Sequence, residues 1–220
     1  MNFWTPQTNK MGDGWAYQYP SHKICGFKQT HQPSPWINDY AAFSLMPVVG
    51  ELKVDQEKRA SWFSHKAEIA RPYYYSVYLA DYDVTVEITP TERAAQFCFT
   101  FPESDSSYVL LDAFNKGSYV KILPEEKTII GYCRNNSGGV PDNFHNYFVA
   151  IFDQDFVDVS TWNEGNVQQG QKESEGKHVG AIVKFKTAKG QKVHMKVASS
   201  FISYDQARLN LTRELAGDTF

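Results

Sequence analysis

The sequence predicts an all-β protein, a large antiparallel β-sandwich with one carboxyl-terminal helix. Short β-branched and aromatic runs recur through the middle of the chain, bounded by Gly, Pro, Asn or Asp, which is typical of antiparallel sheets. Within residues 96–101, Phe97, Phe99 and Phe101 alternate with more polar neighbours, which is the pattern of a half-buried strand. Helical spacing is clear only near the carboxyl end. With 220 residues, 42% of them hydrophobic, one large domain can bury a core.

Further strands are predicted wherever similar runs occur, and eight or more strands at this spacing imply two packed sheets. The additional candidates are residues 73–79, 84–88, 108–114, 128–133, 147–152, 180–185 and 193–201. Gly190 lies between the last two runs and is predicted to close a hairpin. The polar segment 163–177 has few apolar residues and is predicted to be a long exposed loop or partly disordered.

The predicted helix spans residues 203–216 and follows a β-sandwich domain of residues 1–202. Ser203 and Gln206 fit a capping box, and Ala207, Leu211 and Leu215 recur every four residues. Such a short helix is marginal in water unless its apolar stripe is covered. It is therefore expected either to dock on the sandwich or to lead into a following domain.

Charge and hydropathy argue against two classes of partner. The 22 basic and 25 acidic side chains give a net charge of -3, so no broad positive field favours nucleic acid or an anionic membrane. The chain has no apolar run of about 18 residues, so no membrane-spanning segment is predicted. Its first ten residues, MNFWTPQTNK, do not form a signal peptide pattern.

Common catalytic and metal-binding motifs are absent from the sequence. No GxSxG, HExxH, GxxxxGK or GxGxxG pattern occurs, so no catalytic residue is predicted from motifs. Cys25, Cys98 and Cys133 have no CxxC spacing, which argues against zinc but leaves a single disulfide open.

Two other patterns contain residue types that can bind metal ions. His65 and Glu68 would share a face on a helix, but Pro72 and the neighbouring aromatic residues favour a turn or extended segment. Asp153, Asp155 and Asp158 lack the glycine of an EF-hand loop, so a solvated acidic turn is favoured. No metal ligand is therefore predicted on this chain.

Residues 29–40, QTHQPSPWINDY, form the most distinctive segment. Pro33 and Pro35 restrict its backbone, so a rigid loop is expected. The candidate substrate-binding residues are Trp36, Asp39, His31 and Gln29. An aromatic plane and planar polar groups suit a sugar. The residues alone equally allow Trp36 to be a core anchor and Asp39 to cap a turn.

Several segments together resemble the amino-terminal domain of glycoside hydrolase family 92, the calcium-dependent exo-acting α-mannosidases. They are MNFWTPQ at 1–7, GFKQTHQPSPWINDY at 26–40, MPVVG at 46–50, SHKAEIARPYYYSVYL at 64–79, ITPTERAAQFCFTF at 88–101 and SFISYDQARLNLTREL at 200–215. The resemblance covers nearly the whole chain, and its motifs are specific when taken together.

The resemblance implies a sandwich of the supersandwich type followed by an (α/α)₆ barrel, in an enzyme that inverts configuration. The barrel would carry the catalytic acid, the base and most calcium ligands, and this sequence ends where the barrel would begin. No cofactor is therefore expected on this chain, although calcium is expected in the full-length enzyme. Trp36 and Asp39 would reach the terminal mannose of a glycan, with His31 and Gln29 nearby. Extracytoplasmic residence is also implied.

Three functional hypotheses remain at this point. The first is a substrate-contacting domain of an α-mannosidase that is inactive without its barrel, which leaves it uncertain whether this chain alone is an enzyme. The second is a stand-alone carbohydrate-binding module. The third is an interaction domain, which predicts an exposed apolar patch.

Overall fold

The computed structural model describes residues 2–9, 17–31, 40–136, 138–217 and 220, and over these it forms two large antiparallel sheets packed as a sandwich. The seven-stranded sheet has, in spatial order, β1 (Phe3–Gln7), β3 (Gly26–Thr30), β4 (Ser44–Val49), β10 (Ser104–Asp112), β17 (Val179–Thr187), β14 (Asp158–Asn163) and β15 (Asn166–Gln169). The nine-stranded sheet has β16 (Glu173–Gly176), β11 (Ser118–Leu123), β12 (Thr128–Cys133), β13 (Asn146–Phe152), β18 (Gln191–Ser200), β9 (Ala94–Phe101), β8 (Val84–Pro90), β7 (Tyr74–Leu79) and β6 (Ile69–Arg71). A small ribbon pairs β2 (Lys23–Ile24) with β5 (Ser61–Trp62).

The predicted fold class is confirmed, and each predicted strand lies within or largely overlaps an observed one. Phe97, Phe99 and Phe101 of β9 face the core between the sheets. Gly190 has a φ of 76° in the turn between β17 and β18, and the N–H of Gln191 donates to the carbonyl of Ala188 at 3.0 Å. A left-handed backbone of this kind suits glycine, so the predicted hairpin is confirmed.

The prediction of a loop over residues 163–177 is wrong in its secondary structure. This segment contains β15 and β16, whose residues are mostly exposed. β15 pairs with β14, and β16 pairs with β11. Polar edge strands of this kind are held by main-chain hydrogen bonds to their neighbours, so their side chains carry no apolar pattern.

The core between the sheets is rich in aromatic side chains. Among its fully buried members are Phe27, Phe43, Phe97, Phe99, Phe148, Trp162 and Phe185. All three cysteines are buried thiols, so the disulfide that the sequence left open does not form. Burial raises the pKa of the Cys98 thiol to about 11.

The helix α1 (Tyr204–Leu215) docks on the outer face of the nine-stranded sheet. Ser203 Oγ accepts a hydrogen bond from the N–H of Gln206 at 3.1 Å, which confirms the predicted cap. The Gln206 side-chain amide donates to Asn210. Leu211 and Leu215 pack with Ala94 and Ala198, so the apolar stripe is covered by the sandwich.

Candidate functional site

A cavity of about 390 Å³ lies at one end of the sandwich, where β18 ends and helix α1 begins. Its lining mixes polar and aromatic groups, including Asn2, His31, Arg93, Ser199, Phe201 and Gln206. Two apolar side chains at its rim are exposed, Phe201 at 49% and Ile202 at 74%. Cavities of this size with a few polar groups are typical of small-ligand sites.

Gln29 lies on the inner side of this cavity region rather than in a loop. It belongs to β3 and is 1% exposed, so residues 29 and 30 of the predicted loop form a strand instead. Its side-chain nitrogen donates to Asn2 Oδ1 at 2.9 Å and to Ser199 Oγ at 2.8 Å. Its side-chain oxygen accepts from Asn146 Nδ2 at 3.0 Å. The amide therefore ties the two sheets together behind the cavity.

His31 follows Gln29 by two residues and lines the cavity itself. Its Nδ1 lies 2.9 Å from the carbonyl oxygen of Tyr40. Since a carbonyl only accepts, Nδ1 carries the proton in this contact. The imidazole also lies 4.9 Å from the Phe201 ring, which stacks on Phe144. This contact joins His31 and Tyr40, the described residues on either side of segment 32–39.

Trp36 and Asp39 lie within residues 32–39, which are outside the described residues. The structure therefore brings together Gln29 and His31 of the four predicted site residues, and the role of all four in binding sugar stays a prediction. The described residues that flank this segment show how its ends are held.

Two buried asparagines hold the downstream end of the segment. Asn135 donates from Nδ2 to the carbonyl of Ala42 at 2.7 Å and accepts the Ala42 N–H at 2.9 Å. Asn146 donates to the carbonyl of Ala41 at 2.8 Å. Ala41 has a φ of 50°, a costly backbone for a non-glycine residue that persists only when its surroundings fix it. Sequence reasoning missed Asn2, Asn135 and Asn146, because no local pattern marks a buried amide.

The turn between β8 and β9 closes one side of the cavity. Arg93 Nε donates to Glu214 Oε1 at 2.6 Å, and the Arg93 N–H and the Thr91 hydroxyl donate to Glu214 Oε2. Burial alone would raise the pKa of Glu214, but the hydrogen bonds from Thr91 and Arg93 outweigh it and hold the pKa below its usual value. Helix α1 is thus fastened to the turn that carries Arg93.

The residues of the two weaker metal candidates have other partners in the structure. His65 and Glu68 lie in a turn, and Glu68 accepts hydrogen bonds from Tyr17 and Tyr75 as well as contacting His65 at 2.8 Å. Asp153 contacts His194 and Asp155 contacts Lys127. Across the described ranges, no group of three or more His, Cys, Asp or Glu side chains is placed to hold a metal ion.

A second buried polar network lies beside a different cavity, of about 440 Å³, that His178 lines. Arg59 is fully buried and donates from Nη2 to Asp112 Oδ2 at 3.0 Å, while Asp112 Oδ1 lies 2.7 Å from His178 Nε2. Burial would raise the pKa of Asp112, but Arg59 and His178 hold it below its usual value. Burial would lower the pKa of His178, but Asp112 raises it above 6.5. Sequence reasoning missed this trio.

Comparison with known proteins identifies the fold and its relatives. Residues 1–200 match the glycosyl hydrolase family 92 N-terminal domain. The structure superposes on the family GH92 inverting mannosidase BT2199 from Bacteroides thetaiotaomicron VPI-5482 with a TM-score of 0.95 and 44% identity, covering 99% of this chain and 29% of that one.

Two further solved structures are similar. The family GH92 α-mannosidase BT3965 from Bacteroides thetaiotaomicron gives a TM-score of 0.87 at 30% identity, over 100% of this chain and 32% of that one. BT3965 has also been solved in complex with mannoimidazole. The GH92 family glycosyl hydrolase ccman5, at 22% identity and a TM-score of 0.81, over 99% of this chain and 31% of that one, agrees in fold.

A search of curated protein sequences finds no match. Within the described ranges, no helix has the length and apolar character needed to cross a bilayer. The chain spans 29% of BT2199 and 32% of BT3965, whose remaining residues form parts that this chain does not match. From its match over residues 1–200 and its 44% identity to BT2199, this chain belongs to glycosyl hydrolase family 92 and corresponds to the amino-terminal domain of that family.

Proposed function

We propose that this chain is the substrate-contacting amino-terminal domain of an exo-acting, inverting α-mannosidase that acts on mannose-containing glycans. The observation that carries the proposal is the fixing of both ends of segment 32–39 beside the cavity. His31 contacts Tyr40, and Asn135 and Asn146 hold residues 41 and 42. Trp36 and Asp39 lie between these fixed ends in the sequence. The names of BT2199 and BT3965 support the activity, and mannoimidazole bound to BT3965 supports a mannose-like ligand.

The proposed role of this domain is to position the sugar. Trp36 would cover an apolar face of the terminal mannose, and Asp39 would accept hydrogen bonds from its hydroxyls. His31 would stand at the edge of the same sugar. Gln29 has three side-chain hydrogen bonds within the protein, so we assign it the positioning of its neighbours on β3 rather than direct contact.

The groups that break the glycosidic bond would come from residues outside this chain. Inversion needs a carboxylic acid and a carboxylate roughly 6.5–9.5 Å apart. Among the described residues lining the cavity, Glu92 alone has a carboxyl group, and its side chain is 83% exposed. Among the described residues, no group of three or more His, Cys, Asp or Glu side chains is placed to hold a calcium ion. In the family arrangement, an (α/α)₆ barrel that follows residues 203–216 would supply both the catalytic carboxyl groups and the calcium ligands.

The proposed inactivity of the isolated chain can be tested directly. The purified 220-residue chain should give no turnover of an α-1,2-mannoside above the uncatalysed rate. Titration calorimetry with mannobiose should show weak binding or none, because half a site is present. Turnover that disappears when one of the chain's own carboxylates is changed would contradict the proposal. Tight binding that is lost in Trp36→Ala would favour a stand-alone carbohydrate-binding module instead.

Substrate contact needs a protein with both domains. In a chimera that joins this chain to the remaining residues of BT2199, Trp36→Ala should lower kcat/KM for an α-mannoside by about 100-fold, because misplacing a substrate costs on that order. Trp62→Ala is the matched control, since Trp62 is 51% exposed and lies on β5. Equal effects of the two changes would argue against a special role for Trp36.

The resemblance also suggests residence outside the cytoplasm, which fractionation of the source cells would test.

A further inference from the structure

Three tyrosines form a straight row across the nine-stranded sheet. Tyr119 of β11 lies directly opposite Tyr132 of β12, which lies directly opposite Tyr147 of β13. The row continues to Glu175 of β16 on one side and to Ser200 of β18 on the other. Residues opposite each other in neighbouring strands share a face of the sheet. These five positions therefore form one line across five adjacent strands.

The row lies on the outer face of the sandwich. The residues that alternate with the tyrosines, including Val120, Cys133 and Phe148, belong to the core. Side chains of a strand point alternately to the two faces, so the tyrosine rings point away from the core. All three are partly exposed. Helix α1 contacts the row through Tyr204, whose ring centroid lies 4.9 Å from that of Tyr147 and which also interacts electrostatically with Tyr119 and Tyr132.

The rings and hydroxyls of the row are held in place by their neighbours. The Tyr119 and Tyr132 rings are nearly parallel with centroids 5.5 Å apart. This is an offset arrangement that covers only part of each face. The Tyr119 hydroxyl donates to Glu173 at 2.8 Å, and the Tyr132 hydroxyl donates to Glu175 at 2.6 Å. Burial and the hydrogen bond to Glu175 raise the pKa of Tyr132 to about 12, so both hydroxyls stay protonated donors at neutral pH.

The row is continuous with the candidate site. Ser200, at its end, lines the 390 Å³ cavity. His145 stacks on Tyr147 with ring centroids 5.5 Å apart, and its neighbour Phe144 stacks on Phe201 at the same distance. Phe201 in turn contacts His31. Partly exposed aromatic groups thus extend from β11, next to the edge strand β16, to the site proposed for the terminal mannose.

We propose that this tyrosine row binds the part of a glycan that lies beyond its terminal mannose. The inference rests on the proposed function, because the site beside it is assigned to the terminal sugar. Uncharged sugars present apolar C–H surfaces and hydroxyl donors, and the row offers partly exposed rings beside the carboxylate acceptors Glu173 and Glu175. The described residues of the row itself include no aliphatic side chain, which favours a hydroxyl-rich chain over an apolar protein surface.

Affinity electrophoresis in gels that contain soluble α-mannan tests the proposal with the 220-residue chain. The wild-type chain should be retarded. Tyr132→Ala should weaken the apparent affinity about 5- to 10-fold, as expected for loss of one aromatic contact. Tyr132→Phe, which keeps the ring, should retain most of it. The matched control is Tyr78→Ala, because Tyr78 lies on β7 of the same sheet, is 42% exposed and donates to Asp83 at 2.9 Å.

Two results would overturn the proposal: a wild-type chain that migrates equally with and without mannan, or equal effects of Tyr132→Ala and Tyr78→Ala. Thermal unfolding of each variant checks that it folds, and Tyr119→Ala replaces Tyr132→Ala if the latter does not. Failure of the proposed function is separable, because mannan retardation is measured on the 220-residue chain, whereas the role of Trp36 is measured by turnover of the chimera. If the chain binds mannan through the row but Trp36→Ala has no effect in the chimera, the proposed function is wrong and this inference still stands.

Discussion

Two buried polar networks hold this domain together, and they differ in charge. The ionic network consists of Arg59, Asp112 and His178, and the amide network consists of Asn2, Gln29, Asn146 and Ser199. The first joins the segment before β5 to the ends of β10 and β17. The second joins β3 of one sheet to β13 and β18 of the other.

The two networks should therefore differ in their sensitivity to pH. Burying a charged group is costly unless it is fully paired, and removing one partner leaves the other uncompensated. Neutral amides need only hydrogen-bond partners, and their interactions do not titrate. The uncharged network is the one that lies behind the candidate site. The hydrogen bonds of that network should therefore be constant over a broad pH range.

The largest expected effect comes from breaking the ionic network. Arg59→Ala leaves Asp112 buried and short of its main counter-ion, so the free energy of unfolding should fall by about 3–5 kcal/mol. Chemical denaturation measures this fall. Arg71→Ala is the control, because Arg71 is exposed on β6 and should change stability by less than about 0.5 kcal/mol. A double change, Arg59→Met with Asp112→Leu, should cost less than Arg59→Ala alone.

Breaking the amide network should have a smaller effect. Gln29→Ala removes one buried hydrogen-bond partner from each of Asn2, Asn146 and Ser199, which should lower the free energy of unfolding by about 1–3 kcal/mol. Gln171→Ala removes an amide from an exposed turn and should stay within about 0.5 kcal/mol of wild type. If Gln29→Ala proved as mild as Gln171→Ala, the amide network would not be a structural element.

The smallest effect is a difference in pH dependence. The pKa of His178 is raised in the folded state, so its stabilising contribution is fully present below its unfolded pKa near 6.5 and is lost as pH rises through the folded value. Glu164 adds to this rise, whereas Arg59 opposes it. The stability deficit of His178→Ala relative to wild type should therefore shrink between pH 6 and pH 9.

The fall in the free energy of unfolding caused by Gln29→Ala should be the same at pH 6 and at pH 9, because no group of the amide network titrates in that range. Denaturation curves of the two variants and wild type at each pH give the comparison. A His178→Ala deficit that grows with pH would contradict the assigned direction of the shift. In acid, the contribution of Asp112 should be lost only below its ordinary pKa of 3.8, because its folded pKa is lowered.

The sequence was most informative where one local period decides the structure. The alternation in β9 and the spacing of Ala207, Leu211 and Leu215 each reflect burial of one face, so both were predicted correctly. β15 and β16 could not be predicted in this way. Their polar side chains are exposed, and their strand structure depends on hydrogen bonds to β14 and β11.

The candidate site was predictable only in part for a related reason. The prolines and aromatic residues of segment 29–40 marked it as unusual. Its supports are amides that come from positions far apart in the sequence, with Gln29 bonded to Ser199 across 170 residues. No local pattern distinguishes such an amide from an exposed one, so Asn2, Asn135 and Asn146 were found only in the folded protein.

The position of β18 has a consequence for synthesis of the chain. Although it is the last strand in sequence among the described residues, it lies inside the nine-stranded sheet between β9 and β13. On the ribosome, β9 and β13 are made long before the strand that separates them, so each presents an unpaired edge while translation continues. Open edges of this kind invite pairing with other chains. Folding of this sheet must therefore wait for residues 191–200, and a nascent chain stalled before them is the form most exposed to aggregation.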